Sequence, residues 1–130
     1  MQTFLLRTTR REQFIDITAQ VADALLPRDA SGLCCVFVPH TTAAVTINEN
    51  ADPSVVRDIL HKLAALIPAD DGYAHAEGNS DAHLKSSLVG PGLLIPVESG
   101  RLALGTWQAV YFCEFDGPRS RRVIVQVQGE

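Results

Sequence analysis

The amino-acid sequence predicts one α+β domain in which strands outnumber helices. Short segments rich in β-branched and apolar residues recur along the chain, most densely from residue 93 to residue 128. One longer segment, which follows Asp52-Pro53, has apolar residues at helical spacing. A length of 130 residues is that of a typical single domain, so residues 1–130 are assigned to one core.

Three strands are predicted in the first part of the chain. Thr3–Thr8 and Leu33–Val38 are rich in apolar and β-branched residues, which favour strands. Val45 and Ile47 alternate with polar residues, which is the pattern of a strand with one buried face. These segments supply the start of a sheet.

Two helices are predicted between and after these strands. A short helix begins near Thr18. Its inward residues are expected to be Val21, Leu25 and Leu26. Asp52 stands in the N-cap position before Pro53, which suits the first helical residue, and apolar residues at helical spacing continue to Ile67.

The segment Asp81–Val89 is compatible with two structures. It fits a helix that ends at Gly90 and turns two leucines inward, Leu84 and Leu88, because they are four residues apart. Strand alternation fits the segment nearly as well, so both structures stay open at this point.

Four more strand candidates fill the C-terminal part of the chain. They are Leu93–Val97, Leu102–Leu104, Thr106–Phe115 and Arg122–Gln128. The Asp116-Gly117-Pro118 turn joins the last two. Alternation from Thr106 onward places the single tryptophan, Trp107, in the core and turns Gln108 to the other face, where it could contact a ligand.

Composition and charge exclude several classes of protein. Hydrophobic residues make up 46% of the chain and charged residues 20%, which is typical of a globular domain. The formal net charge of -4 argues against nucleic-acid binding. No apolar run is long enough to span a bilayer, and the first residues lack the basic-then-apolar order of a signal peptide. We therefore expect no membrane partner and a cytoplasmic location.

Three long segments carry a resemblance to a known family. They read HTTAAVTINENADP at residues 40–53, SDAHLKSSL at 80–88 and GRLALGTWQ at 100–108. With these segments the chain resembles the YjbQ-like family, from about Leu33 to the C-terminus. The resemblance implies an antiparallel β-sandwich with a few helices, assembled as a homotrimer with histidine-lined sites near the subunit contacts. The family is often labelled secondary thiamine-phosphate synthase.

The four histidines differ in what their positions indicate. His61 lies on the polar face of the predicted helix after Pro53 and should point into solvent. His40 ends a buried strand, where a functional and a structural role are equally favoured. His75 lies in a glycine-rich loop, and this position by itself favours a solvated side chain without a functional role. His83 shares a face with Ser87 whether the segment is helix or strand.

The resemblance implies a pocket built on His40, His75 and His83. Three neutral imidazoles would leave one coordination position open on a divalent metal, zinc or magnesium, as in catalytic metal sites. In this hypothesis the catalytic residues are His40 and His83, together with Glu49 as the acid-base group.

Polar residues near these segments are the candidates for substrate binding. They are Thr41, Asn48, Lys85, Ser87, Gln108 and Arg119. Arg119 belongs to a basic cluster after a turn, and guanidinium groups suit phosphate contacts, although solvated edge-strand charges are an equal alternative. Asp52 is better explained as a helix cap than as a substrate ligand.

Three functions are compatible with such a pocket. The resemblance implies a weak thiamine-phosphate synthase that acts on small phosphorylated molecules, since cationic groups stabilise departing pyrophosphate. A metal-dependent hydrolase of a small phosphate or ester, with Glu49 moving the proton of a bound water, is an alternative. The third is a trimer that binds a metabolite or anion without catalysis.

Overall fold

Two antiparallel sheets and three helices make up the protein in a computed structural model that describes residues 1–25 and 31–129. The strands are β1 (Gln2–Arg7), β2 (Gln13–Asp16), β3 (Ser31–Phe37), β4 (Ala43–Glu49), β5 (Gly92–Glu98), β6 (Arg101–Leu102), β7 (Gln108–Glu114) and β8 (Ser120–Gly129). The helices are α1 (Thr18–Asp23), α2 (Pro53–Leu66) and α3 (Ser80–Val89). The mixed α+β class with antiparallel sheets and few helices is confirmed.

The strand order separates the chain into a five-stranded and a three-stranded sheet. The larger sheet has the order β1-β8-β3-β5-β6 and the smaller one β2-β7-β4. The Asp116-Gly117-Pro118 turn does join β7 to β8, as predicted, but these strands belong to different sheets. The turn therefore carries the chain across the sandwich, which places its polar residues at one open end of the two layers.

Strand β7, the central strand of the smaller sheet, is covered on both faces. Val110 and Phe112 belong to the main core, which also includes Val36 and Val123 from the larger sheet. The alternate residues form a second cluster, against which Val56 and Leu63 of α2 and Val89 of α3 pack. The members of this cluster on β7 and just after it are Ala109, Tyr111, Cys113 and Phe115.

Helix α2 begins where the sequence predicts. The Asp52 carboxylate accepts a hydrogen bond from the Ser54 backbone N–H at 2.9 Å, and Pro53 occupies the first turn. His61 is exposed, which confirms its predicted position. No residue of α2 is buried, so its apolar stripe covers the smaller sheet incompletely.

Helix α3 settles the structure of residues 81–89, but its orientation is the reverse of the prediction. Leu84 and Leu88 were expected inside and are 47% and 64% exposed. The buried residues include Asp81 and Lys85, which form an ion pair with a 3.0 Å separation. The salt bridges made by the inward face, not its hydrophobicity, set the rotation of this helix.

Three other predictions need correction or completion. Trp107, expected in the core, is 63% exposed because it lies in the turn before β7 begins. Strand β2 was not predicted. Val21 is buried and Leu25 half-buried, as expected, whereas Leu26 lies outside the described residues.

Among residues 1–25 and 31–129, no helix combines the length and the apolar character that crossing a membrane requires.

Candidate functional site

A cleft of about 650 Å³ opens where three connections meet at one end of the sandwich. The β3–β4 connection supplies His40 and Thr41, and the start of α3 supplies Asn79 and His83. The β7–β8 connection supplies Asp116 and Arg119, and β8 adds Arg121. The cleft therefore combines imidazole, amide, carboxylate and guanidinium groups from distant parts of the chain.

The floor of the cleft is a buried ion pair between Arg121 and Glu114. The Arg121 side chain is 5% exposed and that of Glu114 is fully buried. Arg121 Nε donates to Glu114 Oε1 at 2.9 Å, and Nη2 donates to Glu114 Oε2 and, at 2.8 Å, to Thr42 Oγ1. Thr8 completes the arrangement because its hydroxyl donates to Glu114 Oε1 at 2.7 Å.

One edge of the Arg121 guanidinium is available to a ligand. Within the described residues Nη1 has no hydrogen-bond partner, and Arg121 lines the cleft. The other nitrogens are fixed by Glu114 and Thr42, so the free edge is held in one orientation. A fixed guanidinium with a free edge is suited to bind an oxyanion.

His40 is a neutral hydrogen-bonding group at the cleft wall. Its Nε2 accepts a hydrogen bond from the Arg122 backbone N–H at 3.0 Å, so the neutral ring carries its proton on Nδ1. Burial of the ring lowers the pKa of His40, and the nearby charges of Arg121 and Arg122 lower it further. At neutral pH His40 can donate one hydrogen bond from Nδ1.

His83 stands between the cleft and a second recess. Its ring contacts that of His75 edge to face, with centroids 5.3 Å apart. The recess, of about 370 Å³, is lined by both histidines with Tyr73 and Leu84. His75 Nδ1 lies 2.7 Å from the Ser80 hydroxyl, which fixes the orientation of the ring. His75 therefore contributes to the recess and His83 to both spaces.

The two walls of the cleft are joined at Asp116. Asn79 Nδ2 donates to Asp116 Oδ2 at 2.9 Å, and Arg119 binds the same carboxylate at 2.9 Å. Asn79 Oδ1 is buried without a partner in the described part of the chain. Arg119 keeps half of its side chain exposed, at 52%, so it can reach a ligand in the cleft.

Comparison with known proteins agrees with this architecture over almost the whole chain. A family model described as UPF0047 protein YjbQ-like matches residues 2–130. The chain belongs to the YjbQ-like UPF0047 family. The match begins well before Leu33, where the sequence resemblance was first recognised.

Relatives and solved structures of the family share both sequence and fold with this member. The UPF0047 protein MJ1081 of Methanocaldococcus jannaschii is 48% identical, over 98% of this chain and 93% of its own. YugU of Bacillus subtilis is 47% identical, over 99% of both chains. An uncharacterised YjbQ/UPF0047 protein of Clostridium acetobutylicum superposes with a TM-score of 0.96 at 50% identity, over 98% of this chain and 100% of its own.

Four of the predicted site residues of this YjbQ-like protein lie in the cleft. They are His40, Thr41, His83 and Arg119. His75 contacts His83 from the neighbouring recess. The structure thus gathers residues that are up to 79 positions apart in the sequence, from His40 to Arg119, at one end of the sandwich.

Three other predicted residues lie at the opposite end of the smaller sheet. Asn48 and Glu49 end β4, and Gln108 pairs with Glu49 in the antiparallel ladder. Because β4 rises about 3.3 Å per residue, Glu49 lies about 20 Å from the cleft end of its own strand. The Gln108 side chain accepts a hydrogen bond from the Gly105 N–H at 2.8 Å. None of the three reaches the cleft of its own chain.

Two predictions for α3 are changed by the contacts that its side chains make. Lys85 was expected to bind substrate, but it is 1% exposed and pairs with Glu12 and Asp81. It is therefore inaccessible to a ligand in the cleft. Ser87 is exposed, and its hydroxyl donates to the His83 backbone carbonyl at 2.9 Å.

The predicted metal cluster does not form within one chain. In the described ranges, no group of three or more histidine, cysteine, aspartate or glutamate side chains is arranged to hold a metal ion. His40 uses Nε2 to accept the Arg122 N–H, and His75 uses Nδ1 toward Ser80. The rings of His40, His75 and His83 line adjacent spaces instead of converging on one point.

Sequence reasoning missed the central role of Arg121 and Asn79. Arg121 belongs to the basic cluster of Arg119 and Arg122, for which phosphate contact and solvated edge charges are equal alternatives in the sequence. It shares one face of β8 with the buried residues Val123 and Val125, at every second position, and alternates with exposed or half-buried residues. That alternation was a readable signal for a buried arginine. Its partner Glu114 gave a similar signal, since it interrupts an apolar strand.

Proposed function

We propose that the cleft binds a small phosphorylated molecule or a comparable oxyanion. The observation that carries the proposal is the free Nη1 edge of Arg121, which Glu114 and Thr42 hold toward the cleft. Charge-assisted hydrogen bonds from a fixed guanidinium are strong and match the geometry of a phosphate. The prior organisation of the group also reduces the entropy lost on binding.

Other groups of the cleft complement an oxyanion held at Arg121. Neutral His40 donates from Nδ1, and the half-exposed Arg119 adds a second cation. Asp116 neutralises part of the Arg119 charge, and Glu77 adds a further carboxylate to the lining. The cleft is therefore suited to a compact ligand of low negative charge more than to a polyanion.

The reaction that the family resemblance adds to this binding site is a weak transfer of the thiamine-phosphate synthase type. Such a reaction joins a pyrimidine methyl pyrophosphate to a thiazole phosphate, and departure of pyrophosphate is its main barrier. Arg121 and Arg119 would stabilise the departing anion electrostatically. Because the described residues do not form a metal cluster, no step of the proposal depends on zinc or magnesium. Glu49 has no part either, given its distance from the cleft.

Titration with inorganic phosphate, followed by ³¹P NMR, tests the binding proposal. Arg119→Met should weaken binding by about tenfold or more, because a hydrogen bond to a charged group contributes about 1.5–3 kcal/mol. Arg101→Met is the matched control, since Arg101 is an exposed arginine of β6 outside the cleft lining. Wild-type protein that shows no saturable binding at millimolar phosphate would refute the proposal.

Two further measurements separate binding from catalysis. Incubation with the pyrimidine pyrophosphate and the thiazole phosphate, with chromatography of products, tests for transfer. Affinity for sulfate, whose charge does not change between about pH 8 and 5.5, should rise as pH falls, because a histidine that gains a proton attracts anions. Metal bound through neutral imidazoles would show the opposite slope, since protons compete for the nitrogen lone pairs. Phosphate binding without turnover would indicate that the protein binds its ligand without catalysis.

A homotrimer is also part of the proposal. Apolar side chains are exposed on the outer face of the larger sheet, where Leu33 is 48% and Leu94 66% exposed. A second exposed apolar surface is formed by Leu84 and Leu88 of α3. Two different apolar surfaces on one chain suit a head-to-tail contact, which closes into a ring. Light scattering should return three times the chain mass of 14.1 kDa, and Leu94→Glu should lower it. A monomer mass for the wild type at micromolar concentration would contradict the trimer.

The location that we propose is the cytoplasm, where small phosphorylated metabolites are available as ligands. Cell fractionation tests it directly.

A further inference from the structure

Helix α3 has a polarity that is reversed with respect to an ordinary surface helix. Its buried residues include Asp81 and Lys85, with side chains 0% and 1% exposed, while Leu84 and Leu88 face outward. A helix that packs by hydrophobicity alone would rotate to bury its leucines. The helix is therefore held in this rotation by the groups that pair with its buried charges.

That arrangement is a set of four charged residues, which we call the α3 ion cluster: Arg11, Glu12, Asp81 and Lys85. Lys85 Nζ lies 2.6 Å from Glu12 Oε1 and 3.0 Å from Asp81 Oδ2. Arg11 binds both oxygens of Asp81, at 3.1 and 2.9 Å. Burial alone would raise the pKa of Asp81, but hydrogen bonds from Arg11 and Lys85 lower it below its ordinary value.

The same β1–β2 connection that carries Arg11 and Glu12 also binds the other wall of the cleft. The Gly117 N–H donates to the Arg11 carbonyl at 2.9 Å. The Thr8 N–H donates to the Arg119 carbonyl at 2.9 Å, and the Arg119 N–H donates to the Thr8 hydroxyl at 2.8 Å. One short segment thus fixes the β7–β8 connection by hydrogen bonds and α3 by ion pairs.

We propose that Lys85 is a positioning residue for the cleft: through its ion pair with Glu12, beside the Asp81–Arg11 pair, it sets where α3 presents His83 and Asn79 opposite Arg119 and Arg121. Lys85 itself does not touch the ligand, because its side chain is buried on the inner face of α3 and does not line the cleft. The role of the cleft as a ligand site rests on the proposed function, whereas the effect of Lys85 on His83 does not.

Energetics support positioning over simple stabilisation. Desolvation of a buried ion pair offsets most of its Coulomb attraction, so a pair of apolar side chains would stabilise the fold as well. What the ion cluster adds is direction, since Lys85 and Asp81 of α3 must meet Glu12 and Arg11 of the β1–β2 connection at hydrogen-bond distance. A substitution at Glu12, which is on the β1–β2 connection, should therefore change the position of His83 through Lys85.

The experiment compares the full-length wild type with Lys85→Met and Glu12→Gln. The first readout is the ¹H–¹³C chemical shift of the His83 ring at one fixed pH, and the second is the affinity for inorganic phosphate. Both variants should move the His83 signal, and Lys85→Met should weaken phosphate binding by about tenfold, within the range of couplings between distinct groups. Ser86→Ala is the matched control, because Ser86 is the buried neighbour of Lys85 outside the cluster. It should leave both readouts unchanged.

The outcomes are distinguishable. A folded Lys85→Met protein with the wild-type His83 shift would overturn the positioning role. If Lys85→Met does not fold, Glu12→Gln decides, since its side chain is partly exposed, at 22%, and its loss is milder. If the wild type binds no phosphate, the proposed function fails, and the His83 shift still decides whether Lys85 positions α3.

Discussion

Replacing Arg121 by methionine should destabilise the fold more than any change at the cleft rim. The change leaves the Glu114 carboxylate fully buried and without its cationic partner. Loss of one member of a buried ion pair typically costs about 3–5 kcal/mol, because the remaining charge has been removed from water without compensation. A natural domain has a free energy of unfolding of about 5–15 kcal/mol, so about a fifth or more of the stability is at stake.

The reciprocal change should be milder. In Glu114→Gln the Arg121 guanidinium keeps an edge at the cleft, where water can solvate it, and its hydrogen bond to Thr42. The amide of Gln can also accept the Thr8 hydroxyl in place of the carboxylate. We expect a loss of about 1–3 kcal/mol, the cost of an imperfectly satisfied buried polar group. Arg121→Met should therefore be the less stable of the two single variants.

Urea unfolding followed by circular dichroism measures these differences, at a fixed protein concentration because the proposed assembly would stabilise the folded state. The double variant Glu114→Gln/Arg121→Met should be more stable than the sum of the single losses implies, by about 1–3 kcal/mol of coupling between contacting residues. Additive losses, or a cost below about 1 kcal/mol for Arg121→Met, would refute the view that the cleft floor is one coupled ion pair.

Three other changes have expected outcomes that thermal or urea unfolding can check. Gly117→Ala should destabilise by about 1–3 kcal/mol, because a Cβ there would lie 2.2 Å from the Arg10 carbonyl oxygen; unchanged stability would contradict this close approach. Ser86→Ala should stabilise by about 1 kcal/mol, since the buried hydroxyl has no partner among the described residues; a loss would indicate a hidden partner. The lowered pKa of His40 means that its contribution to stability is present above the unfolded value of 6.5 and is lost as pH falls through the folded value. His40→Gln should therefore lose less stability than the wild type between about pH 7 and 5, and equal losses would contradict it.

The elements that the sequence predicted well are those with strong local signals. Asp52-Pro53 marks the start of α2 because a cap and a proline act within one turn of the helix. Strand β2 escaped prediction because four residues, Gln13–Asp16, are too few to show an alternation. Trp107 was misplaced because alternation was extended past the point where β7 begins, and a turn obeys no such period.

The site was predictable only in part, because its residues meet through long-range contacts. The family motif placed His40 and His83 in one site, and both side chains line the cleft. Glu49 was a candidate because it lies between a strand end and a helix start, but residues 43–49 form β4, and the strand carries its two ends to opposite ends of the sheet. Lys85 was misread because a lone lysine in a sequence is normally exposed, and only its partners Glu12 and Asp81 account for its burial.

The rotation of α3 links the cleft to the proposed assembly. The ion cluster holds Asp81 and Lys85 inside, so the helix must present Leu84 and Leu88 outside while it aligns His83 with the cleft. Exposed leucines favour contact with a neighbouring subunit, and that contact would in turn resist rotation of the helix. In the proposed trimer the two sides of the helix would serve linked purposes: its inward charges define the orientation, and its outward leucines would keep it. A change that frees α3 from either side should disturb His83, whereas a change in the distant Asn48–Glu49 end of β4 should not.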